Sequence, residues 1–389
     1  MSRDRFLTAS VAIILLSNVL FDALLWILRK MTPTLVTDFQ GQRSLCAYTL
    51  RGIDPYPQIG IEPPLLPDVG SIPMFFGTSP WGLTLNNLFY PAFLPFEIAQ
   101  NYFWELNAVV LLMTALVLYE ASKETDARLG RIALALFALP APFVLAVWYG
   151  NAGGMICCLL LICCAICDRR PVLTGILLGV AMIKPQTALP FCILFLFQRR
   201  FKILLTAAAI DIGAWLMASA LTGTNPITLM IEMLDANIGG GMMFSGLLSL
   251  FVDEPMRSIY LSMTVGVIFI VVLHYRSTEQ NFLSMYPACV AAIFWSYSTG
   301  NEIFILILPA LNCFRIMLED NVERLQWFWA GIFFYSVLMF LQVLAMSCNA
   351  FALNPSLITV CVTLRVCFCF VFIAIALCIN QHHFDRIAH

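Results

Sequence analysis

Apolar residues run along this chain in long blocks separated by short polar clusters. The block length, rather than any alternation, sets the predicted elements. Runs at about 7–28, 102–119, 132–149, 154–167, 203–221, 258–273, 282–297, 303–318, 325–346 and 357–379 come close to the roughly 20 apolar residues that carry a helix across a bilayer. Two stretches break this rhythm. Residues 29–98 are rich in proline, glycine and aromatics, and their apolar patches are short or interrupted by Pro55, Pro57, Pro63, Pro64, Pro67, Pro73 and Pro80. Short interfacial helices lying along a membrane surface fit this stretch better than spans. Residues 171–198 form one apolar run, bracketed by Arg169-Arg170 and Arg199-Arg200-Lys202 and divided at Lys184-Pro185.

That second stretch constrains the geometry. Residues 171–183 make roughly 20 Å of helix at 1.5 Å per residue, against a hydrocarbon core about 30 Å thick. Neither half crosses alone, and both basic ends belong on one side. The spacing predicts a pair of short broken helices with Lys184 near their turn, a place where irregular backbone must be surrounded by protein or a water-filled cavity. A second loop is expected on the outer face at 222–255, with Glu232, Asp235 and Gly239-Gly240-Gly241. The fold class expected is all-α, a polytopic transmembrane helix bundle of about 12 elements, forming a single membrane domain over residues 1–389.

Composition agrees. Of 389 residues 61% are hydrophobic and only 11% charged, more apolar surface than a soluble chain of this size can hide. The net charge of −2 gives no reason to expect nucleic acid. The cysteines number 14, but Cys157, Cys158, Cys163, Cys164 and Cys167 fall inside one predicted span, where they act as small hydrophobes rather than as zinc or redox ligands. Most basic residues, among them Arg3, Arg128, Arg170, Arg200, Arg276 and Arg324, fall on one side of the predicted spans. The positive-inside rule then puts both termini in the cytoplasm and residues 29–98 on the outer face of a plasma or inner membrane.

With this topology the outer face carries Asp38, Asp54, Glu232, Asp235 and Glu302 but no histidine, since His274, His382, His383 and His389 all fall inside. Base chemistry outside would rest on a carboxylate. Asp38, just beyond the first span, can act on a sugar or lipid hydroxyl or simply sit solvated in a loop. Lys184 inside the membrane region is costly and calls for a cavity, a counter-ion or an anionic ligand, with snorkelling as the alternative. Gln186 and the Gly150-Asn151 turn can add neutral donors beside it. Nothing in the residues calls for a metal or another cofactor.

The stretch Leu50-Arg51-Gly52-Ile53-Asp54-Pro55-Tyr56 after an external Asp resembles the opening of the integral-membrane glycosyltransferases of family 87. Tyr149-Gly150-Asn151, Arg170, Gly175-Ile176-Leu177-Leu178-Gly179 and Ile183-Lys184-Pro185-Gln186, closing on Arg199-Arg200, resemble that family's second block. The resemblance covers about 35–205. One departure is the usual Tyr-Pro-Pro, replaced here by Leu88-Phe89-Tyr90-Pro91-Ala92-Phe93 with Thr78-Ser79-Pro80-Trp81 upstream. The resemblance implies a GT-C fold and an inverting transfer of a mannose-like sugar from a polyprenyl-phosphate-linked donor to a lipid or glycan acceptor at the outer face. It implies Asp38 as general base, with Lys184, Arg43 and Arg51 at the donor phosphate. Asp54, Tyr56, Tyr90, Asn151, Gln186, Asn301 and Glu302 are the expected substrate contacts. Membrane lipids are the surrounding partners. The rival readings are a transporter or flippase, built on the broken helix pair, a polysaccharide polymerase or ligase, and a structural membrane subunit.

Overall fold

The protein is described from a computed structural model covering residues 37–72, 78–137, 150–239, 255–276, 282–295 and 301–320. The expected spans at 7–28, 325–346 and 357–379, and two thirds of that at 132–149, lie outside these residues. Within them every named element is helical. In chain order these are α1 (Thr37–Leu50), α2 (Gly82–Leu85), α3 (Phe96–Thr125), α4 (Ala127–Phe137), α5 (Gly153–Ile166), α6 (Pro171–Ala181), α7 (Pro185–Phe197), α8 (Phe201–Thr222), α9 (Pro226–Gly239), α10 (Pro255–Arg276), α11 (Tyr286–Trp295) and α12 (Ile307–Asp320). Short 3₁₀ turns at Tyr56–Gln58, Asn86–Leu88, Phe282–Met285 and Asn301–Leu306 join them.

Two helices, α3 and α8, are long and apolar enough to cross a membrane by length and composition. In α3 the buried residues Ala99, Phe103, Asn107, Thr114, Leu118 and Ser122 recur at helical spacing and form one packed stripe. Val109, Leu112, Met113 and Leu116 stay exposed on the other faces. Helix α8 has the same division, with Ile203, Ala207, Ala214 and Ala218 inside and Leu205, Ile212, Leu216 and Met217 outside. Helix α5 is different, because almost every residue from Gly153 to Cys164 is buried. A helix apolar all round belongs at the centre of a bundle. There it packs on α3, α6 and the turn Asn301–Leu306, and its cysteines are core side chains as the sequence suggests.

The broken pair is present. Helix α6 has 11 residues and α7 has 13, and Lys184 sits at their junction with φ −111° and ψ 77°, outside the helical region. Pro171 and Pro185 each open a helix in the first turn, where a missing N–H costs nothing. Helix α6 lies against α8 through Gly175 and Gly179, one helical turn apart. A Cβ at 175 would stand 2.5 Å from the Thr206 Cβ, and one at 179 would stand 2.9 Å from the Ile210 Cβ. The two small residues let the helix backbones meet.

The stretch expected to lie as interfacial helices is more deeply integrated. Helix α1 buries Phe39 and every residue from Ser44 to Thr49. It ends where Gly52 takes φ +77°, with the Gly52 N–H donating to Thr49 O and the Ile53 N–H to Tyr48 O. This paired closure is the Schellman stop, which wants a residue in the left-handed region. The Leu-Arg-Gly-Ile-Asp run is therefore a helix terminus. Tyr48, Tyr56, Val69, Ile72 and Leu83 then pack with Ala218 of α8 and Leu229 of α9 into a small apolar cluster. Helix α9 itself, inside the loop expected at 222–255, is a 14-residue element that the hydropathy did not indicate.

Candidate active site

Asp38 lies in the first turn of α1, where the unpaired N–H groups favour a carboxylate. Its Oδ2 accepts a hydrogen bond from the Asn151 side-chain amide at 3.0 Å. Asn151 Oδ1 accepts in turn from Lys184 Nζ at 3.2 Å and from the Gly153 N–H at 2.7 Å. The amide orientation follows from this network, since only one flip gives the carboxylate a donor and the ammonium an acceptor. Asn151 precedes α5 and Lys184 stands at the apex of the α6–α7 hairpin. Three separate segments thus converge on one run of hydrogen bonds, Asp38–Asn151–Lys184.

Tyr90 holds the turn that presents Asn151. Its hydroxyl donates to the Gly150 carbonyl at 3.1 Å and accepts from the Ala152 N–H at 2.8 Å. The ring is enclosed by Phe39 at 5.5 Å and Phe103 at 5.2 Å between centroids, so the residue after Asp38 packs directly on it. Burial, with the Asp38 charge adding to it, pushes the phenol well above its ordinary value of 10, so Tyr90 is a neutral strut. It supports the site from within rather than facing a substrate.

Of the other expected site residues, Gln186 is partly buried in the first turn of α7, two positions after Lys184. Arg43 donates to the Leu94 carbonyl at 2.7 Å and lies over the Phe96 ring. Arg51 forms a two-point ion pair with Asp68 at 2.5 and 2.9 Å, on the surface. Neither contact brings the guanidinium to the Asp38 run. Tyr56 is buried and donates to the Thr78 carbonyl at 2.8 Å, a pillar of the small cluster. The backbone of Asn301 and Glu302 is in a turn packed on α5, and their side chains lie outside the described residues.

Asp54 has a separate setting. Its Oδ1 accepts from the Tyr56 N–H at 3.1 Å, and it meets Glu232 of α9, which packs on the Tyr56–Gln58 turn. Asp54 Oδ2 and Glu232 Oε2 are both buried with no N–H or O–H donor directed at them. Two carboxyls in this position need a proton between them. Burial, with the neighbouring Asp54 carboxyl and the charge of Asp235 adding to it, pushes the Glu232 carboxyl up to about 7.

Sequence reasoning missed what binds these segments together. The Trp81 indole N–H donates to the Met182 carbonyl at 2.7 Å, and the Thr84 hydroxyl donates to the Ala214 carbonyl at 3.0 Å. Asn86 donates to Gln42 Oε1 at 3.0 Å and to Thr78 Oγ1 at 3.1 Å. The one available signal was a lone tryptophan in the proline-flanked polar stretch Thr78-Ser79-Pro80-Trp81-Gly82. No cluster of metal-ligating side chains occurs among the described residues.

The family model of glycosyltransferase family 87 matches residues 84–299, more than half of the chain, and the chain belongs to that family. It is a glycosyltransferase, and the family sets aside the transporter and structural-subunit readings. The match begins later and extends further than the stretch 35–205 that carried the resemblance. Asn151, Lys184 and Tyr90 fall inside it. Asp38 falls outside and is joined to it by the Asn151 hydrogen bond. No curated protein and no solved structure matches the chain.

Proposed function

We propose that this glycosyltransferase is a polytopic GT-C membrane enzyme that moves a mannose-like sugar from a polyprenyl phosphate to a lipid or glycan hydroxyl, with inversion, at the outer face. The observation that carries the reading is the run Asp38–Asn151–Lys184, which sets a carboxylate and an ammonium on the two ends of one amide. Asp38 takes the proton of the acceptor hydroxyl as that oxygen bonds to the anomeric carbon. The bond from that carbon to the phosphate oxygen breaks, and its electron pair leaves with the polyprenyl phosphate. Lys184 meets the negative charge growing on that oxygen, where fixed charge lowers the barrier most. Arg43 and Arg51 would have to leave Leu94 and Asp68 to join it. The exposed apolar faces of α3 and α8 support a lipid surround, because large contiguous apolar surface is unfavourable in water.

The test is single-turnover transfer from labelled polyprenyl-phosphate sugars by purified protein in lipid. Asp38→Asn keeps size and hydrogen bonding but cannot take a proton, so transfer should fall by about 10²–10⁴-fold while donor binding survives. Full activity in Asp38→Asn would remove the base from this position.

A further inference from the structure

We propose that Trp81 is a positioning residue for Lys184, a role that rests on the proposed site and deepens it. The argument starts at the C-terminus of α6, where the last carbonyls lack intrahelical partners. Met182 N–H donates back to Leu178 and Gly179, and Lys184 N–H donates to Ala181 O at 3.0 Å. The backbone then turns out of the helical region at Lys184 and enters Pro185, which has no N–H. Pro185, three residues ahead, offers the Met182 carbonyl no N–H, and the Trp81 indole supplies a donor at 2.7 Å across 101 residues. This bond fixes the peptide two residues before Lys184.

Trp81 is itself held from two sides. The Thr84 hydroxyl, three residues on, has one proton, which lies within reach of the Ala214 carbonyl of α8 at 3.0 Å and of the Trp81 carbonyl at 3.2 Å. The Asn86 amide donates to Gln42 on α1, the helix that carries Asp38, and to Thr78 within the same segment. Gly82 fits so closely that a Cβ there would stand 2.5 Å from Thr78 Oγ1. Residues 78–86 thus form a strap from the helix of the base to the hairpin of the lysine, and the indole is its contact with the hairpin. Without the indole N–H the apex keeps its helices but loses the bond that sets the height and angle from which Lys184 reaches Asn151.

The first arm of the test needs no substrate. Full-length protein in nanodiscs is treated with a small amine-acylating reagent over a range of pH, and Lys184 modification is followed by peptide mass spectrometry. Trp81→Phe keeps an aromatic ring and removes the N–H, and it should raise the Lys184 acylation rate by roughly three- to tenfold, as for loss of one hydrogen bond. Trp215→Phe removes an indole bond of the same kind, to the Pro226 carbonyl at 3.0 Å, and should leave Lys184 unchanged. Equal rates in wild type and Trp81→Phe, or an equal rise in both variants, overturn the proposal. In the second arm Trp81→Phe should raise the KM for a polyprenyl-phosphate sugar by a similar factor with the acceptor KM unmoved, and should add nothing in a Lys184→Met background. A full additional loss in that background overturns the proposal too. Wild-type protein that transfers nothing from such donors overturns the proposed function, and the acylation arm still decides Trp81.

Discussion

Tyr90 donates its hydroxyl proton to the carbonyl of Gly150, 60 residues away in sequence. Because the same oxygen accepts from the Ala152 N–H, both peptides flanking Asn151 depend on one phenol. Tyr90→Phe keeps the ring against Phe39 and Phe103 and strips both bonds. It should destabilise the fold by about 1–3 kcal/mol, the cost of leaving buried backbone groups unpaired, and slow transfer further by loosening Asn151. Thermal unfolding and single-turnover rates of the same preparation measure the two effects. Unchanged values for both would make the phenol dispensable.

Lys184→Met keeps the length of the side chain and removes its charge. Binding of a polyprenyl-phosphate donor should weaken by about 1.5–3 kcal/mol, the range for a hydrogen bond to a charged group. Equilibrium binding of a labelled donor in nanodiscs reads this directly. A variant that folds and binds donor as the wild type does would leave Lys184 with a structural role.

The contact between α6 and α8 offers a matched pair. Gly175→Ala places a Cβ 2.5 Å from the Thr206 Cβ and 2.7 Å from the Ile203 carbonyl, and should cost about 1–3 kcal/mol through overpacking. Gly213→Ala, in the same helix as Thr206, meets nothing within 4 Å and should cost nothing. Melting temperatures of the two in one detergent make the comparison. Equal melting would mean that the helices do not meet closely at Gly175.

Glu232 gives a pH dependence with a definite sign. Its carboxyl is raised from 4.5 to about 7 in the folded protein, so folding retains a proton that the unfolded chain releases. This contribution to stability is fully present below about pH 4.5 and is lost as the pH rises through about 7. Glu232→Gln removes this titration, and its melting temperature should fall less than that of the wild type over the same range. Parallel melting curves from pH 5 to 8 for the two proteins would show that the Asp54–Glu232 pair shares no proton.

The orientation also has a direct check. Single cysteines at Ser71 and at Ser2, in a cysteine-depleted background, should differ in reaction with a membrane-impermeant thiol reagent on intact cells. Position 71 should label and position 2 should not. Labelling of both from outside would overturn the proposed topology and with it the assignment of the active face.

Local arithmetic made some of this site legible. The half-length run before Lys184 required a break, and the break is there at the α6–α7 junction. The close contact of α6 with α8 at Gly175 and Gly179 was not read from the sequence, where the two glycines stand only in the block that resembles the family. Asp38 was legible as a candidate but was expected in a loop. Its place in the first turn of a buried helix depends on Phe39 packing against Tyr90 and Phe103, neighbours that hydropathy does not see. The Trp81 bond to Met182 and the Asp54–Glu232 pair were not legible at all. Each joins a side chain to a partner far along the chain, and neither imposes a period or a spacing on the sequence. The Arg51–Asp68 ion pair was not legible for the same reason, since the two residues stand at no characteristic interval.

The bond between Asp38 and Asn151 spans 113 positions, and this has a bearing on how the enzyme is made. A ribosome delivers the carboxylate first, the amide much later and the ammonium last, so the run Asp38–Asn151–Lys184 cannot form until Lys184 has emerged. Closing so long a loop adds little entropy over closing a moderate one, because the penalty grows only with the logarithm of length. The delay is therefore one of timing rather than of energy. Truncated products that stop before the apex of α6 and α7 hold the Asp38–Asn151 bond at most and lack the ammonium that completes the run.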